Sequence, residues 1–266
     1  MTTCVKESVS GPRTTPKPRF SIVVPTLNAA RFVDACLKSI ARQNADAEVI
    51  VVDGGSKDRT LNIVHYWGLV DVGIRLRILH RPAQGEANAI NEGLKAATGD
   101  ILAWLDADDV YEPGAFDAVA KSSAMWCYGK CRIINEQGEH IRGAITQFKE
   151  FWQRRYSYGA LKRLCFIAQP AVFWRREAME NVGLLDESER YVMDYDYWLR
   201  LGEQYTPAFI GQYLASWRSH PGSETARALL QDIEDARRVA KKYGGGIGAD
   251  LTYWGTRLGY KAMGAL

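Results

Sequence analysis

EVIVVDGGSKDRT, residues 48–60, begins with one acidic residue and four consecutive branched apolar ones, Val49 to Val52, and then turns abruptly polar. A strand with one wet face would alternate. An unbroken branched run belongs to a strand covered on both sides, as in a parallel sheet with helices on each face. Ser56 and Asp58 are N-cap candidates for a helix over 59–67.

Outward from this stretch the same rhythm repeats. FSIVVP (20–25) is a strand, followed by helical spacing over 29–42, with Phe32, Cys36 and Ile40 on one line and Val33 and Leu37 beside it. LRILH (76–80) is a third strand, 86–97 a helix, and ILAWL (101–105) a fourth strand. Strand–helix alternation with short links predicts right-handed βαβ units and a mainly parallel sheet. The second half is less regular. CRIINEQGEHI (131–141) predicts a hairpin about Glu136-Gln137-Gly138, AVFW (171–174) a strand, and 194–204, 225–242 and 251–263 helices. No repeat or Pro/Gly linker interrupts the body, so the expectation is one α/β domain with an elaborated helical C-terminal part.

Bulk properties narrow the function. The 266 residues are 47% apolar and 24% charged, ordinary for a globular chain, and the net charge is only +3. That balance argues against nucleic acid as a partner. Five scattered cysteines, Cys4, Cys36, Cys127, Cys131 and Cys165, complete no zinc set and suggest a reducing, cytoplasmic setting. Residues 1–19, with Pro12, Pro16 and Pro18, lack the apolar region of a signal peptide and are expected to be a disordered tail. No window approaches a membrane span, so any membrane contact would be peripheral. The segment 148–166 interleaves aromatics with Arg and Lys; it is either a helix packed on the sheet with its cations reaching solvent, or a face for anionic lipid.

Ligands of open α/β sheets bind beyond the carboxyl ends of the strands. Three predicted strands end in polar residues that should share one rim: Thr26 and Asn28, Asp53, and Asp106 with Asp108. LDADD (105–109) sets three carboxylates in four residues with no Lys or Arg within five positions. Either it is a solvated turn capping a helix near Glu112-Pro113, or Asp106 and Asp108 share a divalent cation. A calcium EF-hand loop fails at Val110 and Tyr111. Mg²⁺ or Mn²⁺ takes one or two carboxylates and fills its other positions with substrate phosphates. No G-x-x-x-x-G-K-[ST] loop is present, and GGGIG (244–248) follows a helix rather than a strand.

VVPTLNAARFVDACLKSI (23–40), VIVVDGGSKDRT (49–60), GEANAINEGLKAATGDILAWLDADD (85–109) and MDYDYWLRL (193–201) occur in this order. Together they resemble the successive signatures of the family 2 glycosyltransferases with the GT-A fold, across roughly residues 20–220. The resemblance implies a Rossmann-like nucleotide-diphospho-sugar transferase domain: a nucleotide-sugar-binding half over 20–131, an acceptor and catalytic half over 132–224, and C-terminal helices over 225–266. It implies an inverting, metal-dependent sugar transfer with Mn²⁺ or Mg²⁺. The partners would be a nucleotide-sugar donor and a glycan or lipid-linked glycan acceptor, as in surface polysaccharide assembly.

Carried over residue by residue, Thr26, Asn28 and Asp53 would hold the nucleobase and ribose, although Asp53 also suits a turn at the strand end. Asn88 and Asn91 of GEANAINEG would read the donor; Asn88 stands where relatives with DAINKG carry Asp, which leaves open the group it reads. The D-x-D pair falls on Asp106, near the ribose, and Asp108, on the metal. WRSHPGSET (217–225) resembles the late R-x-H segment, with His220 completing the metal shell, and FIAQPAVFW (166–174) a stretch that puts Gln169 near the acceptor. MDYDYWLRL carries the base, Asp194, with Asp196 as runner-up or helix N-cap. Placement at a helix N-terminus should lower the Asp194 pKa. Two other uses of such a fold stay open here: a nucleotide-sugar or glycan-binding protein without chemistry, and a metal-dependent nucleotidyltransferase.

Overall fold

The structure is a computed structural model and describes residues 8–9, 19–70, 73–81, 84–141, 143–223 and 228–262. The strands are β1 (Ser8–Val9), β2 (Phe20–Thr26), β3 (Ala47–Asp53), β4 (Ile74–His80), β5 (Ile101–Trp104), β6 (Val110–Tyr111), β7 (Trp126–Ile134), β8 (Val172–Arg175) and β9 (Ala208–Arg218). The helices are α1 (Val33–Ala41), α2 (Thr60–Leu69), α3 (Glu86–Ala96), α4 (Ala115–Ala120), α5 (Gly143–Gln153), α6 (Tyr158–Leu161), α7 (Arg176–Val182), α8 (Met193–Gln204), α9 (Leu229–Lys242) and α10 (Gly246–Ala262), with a 3₁₀ turn at Gln169–Ala171.

One sheet takes in all nine strands, in the order β1-β4-β3-β2-β5-β8-β7-β9-β6. Its centre, β4-β3-β2-β5, is parallel, as the branched runs require. β2 and β3 are buried along their whole length. The order reverses at β2, because β3 lies on one side of it and β5 on the other, so a crevice forms where their carboxyl ends part. Register fixes that rim: Thr26 lies opposite Asp53, and the Leu105 N–H donates to the Val23 carbonyl at 2.9 Å, bringing LDADD beside the end of β2.

The second half adds antiparallel β8 to β5, continues through β7, and runs β9 parallel to β7. β7 spans residue 131, so the expected boundary between the two halves cuts through a strand; one sheet serves both. Ser8 and Val9 of the expected tail pair with β4 as an edge strand, while the rest of 1–18 lies outside the described residues. α9 begins at Leu229, with 224–227 outside the described residues. α10 begins at Gly246, five residues earlier than its apolar spacing predicts. Glycines there allow a close approach: a Cβ on Gly245 would lie 2.1 Å from the Lys162 carbonyl oxygen, and one on Gly248 2.6 Å from the Arg163 side chain.

Four indoles anchor the core under the site. Trp198 of α8 stacks at 5.5 Å on Trp104, which ends β5, and at 6.2 Å on Trp126 of β7, while Trp174 meets Trp104 edge-on. All four are buried. Asp194 is one turn before Trp198 on the same helix face, so this stack fixes how α8 presents its first turn.

Candidate active site

LDADD turns back on itself directly after β5, with the Asp109 N–H bonded to the Asp106 carbonyl at 2.9 Å. Three carboxylates held this tightly need a cation, and the chain supplies one from 109 residues away. Arg218, the last residue of β9, donates its backbone N–H to Asp109 Oδ1 at 2.7 Å and its Nε to the Asp108 carbonyl at 2.7 Å. Its Nη1 reaches the Asn135 carbonyl at 2.9 Å, and its guanidinium lies 5.1 Å from the Phe32 ring centre. Two residues on, His220 Nε2 shares a 2.9 Å hydrogen bond with Asp108 Oδ2, and its ring packs 4.9 Å from Phe32. The late R-x-H segment therefore meets LDADD at both positions: the arginine braces the loop and the histidine faces Asp108. The acidic run does not itself cap a helix: the short strand β6 follows it, and α4, which begins at Ala115, has Gly114 as its N-cap.

Asp106 Oδ1 and Asp109 Oδ2 are buried and find no hydrogen-bond partner among the described residues. Burial, and then the charges of Glu86, Asp109, Asp108 and Asp194, push the Asp106 carboxyl well above its ordinary value. Burial and the Asp108 charge do the same to Asp109, opposed by Arg218. Glu86, at the start of α3, and Asp194 are thus near enough to the acidic loop for their charges to act on Asp106. Oxygen donors with an imidazole suit Mn²⁺ or Mg²⁺. Among the described residues no three such groups already form a cage, so Asp108 and His220 would leave most positions of an ion to a diphosphate.

Asp194 occupies the first turn of α8, its Oδ1 accepting from the Tyr195 N–H at 2.7 Å. Contrary to the helix-terminus expectation, its pKa is raised, to about 6, because burial outweighs that hydrogen bond and the nearby Lys149 cation. On α9, Asp232 rises to about 7, first through burial and then through the Asp194 charge. Asp196 is a different kind of residue. Its oxygens accept from Arg200 Nε at 2.9 Å, Lys242 Nζ at 3.1 Å and the Tyr243 hydroxyl at 2.9 Å, fully occupying it as a tie between α8 and α9. Neither aspartate is the N-cap, which is Val192.

The expected donor residues divide. Thr26 is buried at the end of β2. Asp53 is buried in the turn that was its alternative reading, accepting from the Gly55 and Ser56 N–H groups at 3.0 and 3.2 Å. Asn28, with φ of 53°, ties two loops: its N–H donates to Ser56 Oγ and its Oδ1 accepts from the Lys57 N–H, both at 2.9 Å. Asn91 is held within the framework. Its Oδ1 accepts from the Leu185 N–H, and its Nδ2 donates to the Leu185 carbonyl and Glu187, each at 3.0 Å, which uses the whole amide as framework. Asn88 also donates to Glu187, at 3.0 Å. Gln169 sits beside the acidic loop, its Nε2 on the Trp104 carbonyl at 2.9 Å and its buried Oε1 without a partner among the described residues.

Sequence reasoning missed Arg218, Glu86, Lys149 and Asp232. Arg218 had a signal, standing two residues before His220, and Glu86 opens GEANAINEG. Asp232 had none.

A curled, centrally parallel sheet with an acidic crevice at its switch point is the GT-A architecture. The chain belongs to the family described as "Glycosyl transferase family 2", whose signature matches residues 21–182. It is 36% identical over 207 residues to a "PGL/p-HBAD biosynthesis glycosyltransferase" of Mycobacterium tuberculosis, covering 74% of each chain. In fold it resembles the mannosyltransferase PcManGT of Pyrobaculum calidifontis in complex with GDP-Man and Mn²⁺, with a TM-score of 0.63 and 20% identity over 96% of this chain and 79% of that one. It also resembles S. aureus TarS 1-349 in complex with UDP-GlcNAc, with a TM-score of 0.62 and 19% identity over 83% and 65%. The protein is a glycosyltransferase.

Proposed function

We propose that this glycosyltransferase moves a sugar from a nucleoside-diphosphate donor to an acceptor hydroxyl with inversion at the anomeric carbon. The donor lies at the carboxyl edge of β2, β3 and β5, with Thr26, Asn28 and Asp53 toward the nucleoside and Asp106 toward the ribose. Asp108 and His220 would hold Mn²⁺ or Mg²⁺, which supplies positive charge against the diphosphate as it departs. Asp194 is the base. With a pKa near 6 it is ionised at neutral pH, yet basic enough to take the acceptor proton during attack. Gln169 offers its unpartnered Oε1 to an acceptor hydroxyl. Direct displacement needs no enzyme nucleophile, and burial pushes up all four described thiols, Cys36, Cys127, Cys131 and Cys165. The acceptor side of the proposal is a glycan or lipid-linked glycan, met at a membrane surface.

What supports this reading is the 2.9 Å pairing of His220 with Asp108 and the reach of the Asp194 charge to Asp106, which bring together three separate sequence segments. The test is a panel of UDP-, GDP- and dTDP-sugars scored for nucleoside diphosphate release with Mn²⁺ and with EDTA, and for the anomer formed by NMR. Release that depends on Mn²⁺, with inverted product, is expected. Release of sugar 1-phosphate in place of nucleoside diphosphate, a retained anomer, or no turnover with any donor would overturn it.

A further inference from the structure

α10 presents the wrong residues to water. A surface helix normally turns its polar face outward. On α10 the buried side is Ala249 and Tyr253, yet Ile247, Leu251, Trp254 and Leu258 are 78, 69, 57 and 66% exposed. At 100° per residue these four, spaced i, i+4, i+7 and i+11, fall within an arc of about 60° and make a stripe about 16 Å long. Among the helix residues whose burial is described, the other exposed ones are Gly246, Gly255, Gly259 and Lys261. Together the four side chains offer on the order of 500 Å² of nearly continuous apolar surface, at the size where a patch marks a binding site.

The charges around the stripe identify what covers it. The helix has one acidic residue, Asp250, and Arg237 and Lys241 of α9 neutralise it. Arg257 reaches Glu234 of α9 at 3.9 Å. Cations stand at both ends: Lys261 at one, and at the other Lys162 and exposed Arg163, against which Gly245 and Gly248 pack. We infer that the Ile247–Leu251–Trp254–Leu258 stripe lies in the interface of an anionic lipid bilayer, with Lys162, Arg163 and Lys261 on its headgroups. A tryptophan at the middle of a stripe on a helix lying in the membrane plane suits that boundary. A second copy of the chain fits less well. Antiparallel pairing of two stripes would set Lys261 of one chain against Lys162 and Arg163 of the other, and the patch falls short of the roughly 800 Å² per partner of a stable interface.

The placement also relates the membrane to the crevice. α9 and α10 run antiparallel, as the pairs Lys241–Asp250, Arg237–Asp250 and Arg257–Glu234 show. The Leu258–Lys261 end of the stripe therefore lies by the first turns of α9, whose Asp232 is near enough to Asp194 to be raised by its charge. Lipid bound along α10 would lie on the side of the molecule where Asp232 neighbours Asp194. This deepens the proposed acceptor reading, but its test reads binding alone, without donor or turnover, so either can fail without the other.

The test is co-sedimentation of the full chain with vesicles of phosphatidylcholine alone and of phosphatidylcholine mixed with phosphatidylglycerol. The wild type should bind the anionic vesicles at least about tenfold more strongly. Leu251→Glu/Trp254→Glu, both exposed, should bind at least about tenfold more weakly while melting with the wild type. Lys162→Ala/Arg163→Ala should lose the preference for anionic lipid. A wild type that binds neither vesicle, a stripe variant that binds as the wild type does, or a dimer by light scattering that the stripe variant dissociates would each overturn the inference.

Discussion

Replacing Asp194 with Asn should slow transfer and stabilise the fold in the same molecule. Burial lifts the Asp194 carboxyl from an ordinary 3.8 to about 6. That rise corresponds to at most about 3 kcal/mol against the charged form in the folded state. The sign follows from proton counts. Between about pH 4 and pH 6 the folded chain holds this proton more tightly than the unfolded chain, so stability falls as pH rises. The penalty is absent below about pH 4 and complete above about pH 6. An amide of the same shape removes it. In EDTA at pH 8 the variant should therefore melt higher by up to about 3 kcal/mol, on the order of 5–10 °C for a chain of this length, and the gain should vanish toward pH 4. With the donor identified by the panel, kcat at pH 8 should drop about 10²–10⁴-fold while nucleoside diphosphate binding is kept. Wild-type kcat should climb as pH rises through about 6 and then level off. Turnover within a few-fold of wild type would remove Asp194 as the base, and equal melting at pH 4 and pH 8 would refute the account of its burial.

Arg218→Met should cost about 3–5 kcal/mol, because it leaves the buried Asp109 without its countercharge; Arg218→Lys should recover little, since one ammonium cannot span the carbonyls of Asp108 and Asn135. Thermal melts at neutral pH check both. His220→Ala should weaken Mn²⁺ activation by at least about tenfold while the melting point moves little, read from initial rates against Mn²⁺ concentration. Asn91→Ala should destabilise by about 1–3 kcal/mol, because the backbone of Leu185 loses its partners, with the donor KM unchanged. A raised KM at unchanged stability would return Asn91 to the donor.

The parallel centre was readable because its cause is local. Val49 to Val52 must be covered on both faces wherever the strand lies, and the helical spacings on each side say what covers it. The rim was readable for the same reason: strand ends are written in the sequence, and strands in register bring their ends together. Amides were harder. Asn28 and Asn91 can hold a loop as well as a ligand, and only the position of Leu185 or Lys57 decides which. The ties of Asp196 were equally hidden, since its partners Lys242 and Tyr243 lie some 46 residues further on, at the end of α9.

What stayed hidden depends on how the second half curls. Arg218 reaches LDADD because β9 runs beside β7, crosses an irregular register at Gly129–Cys131, and then pairs with β6. No local pattern encodes that path. Its consequence answers the question posed by three carboxylates without a neighbouring cation. Arg218 compensates one side of the loop, on Asp109, and leaves Asp106 with a buried, unpartnered oxygen and within reach of the charges of Glu86 and Asp194. A carboxyl in that position can be neutral by holding a proton, or ionised beside a cation. Only the second form leaves the crevice ready for a diphosphate at neutral pH. On the proposed reading, the partial bracing by Arg218 serves the site: it fixes the loop without satisfying the rim.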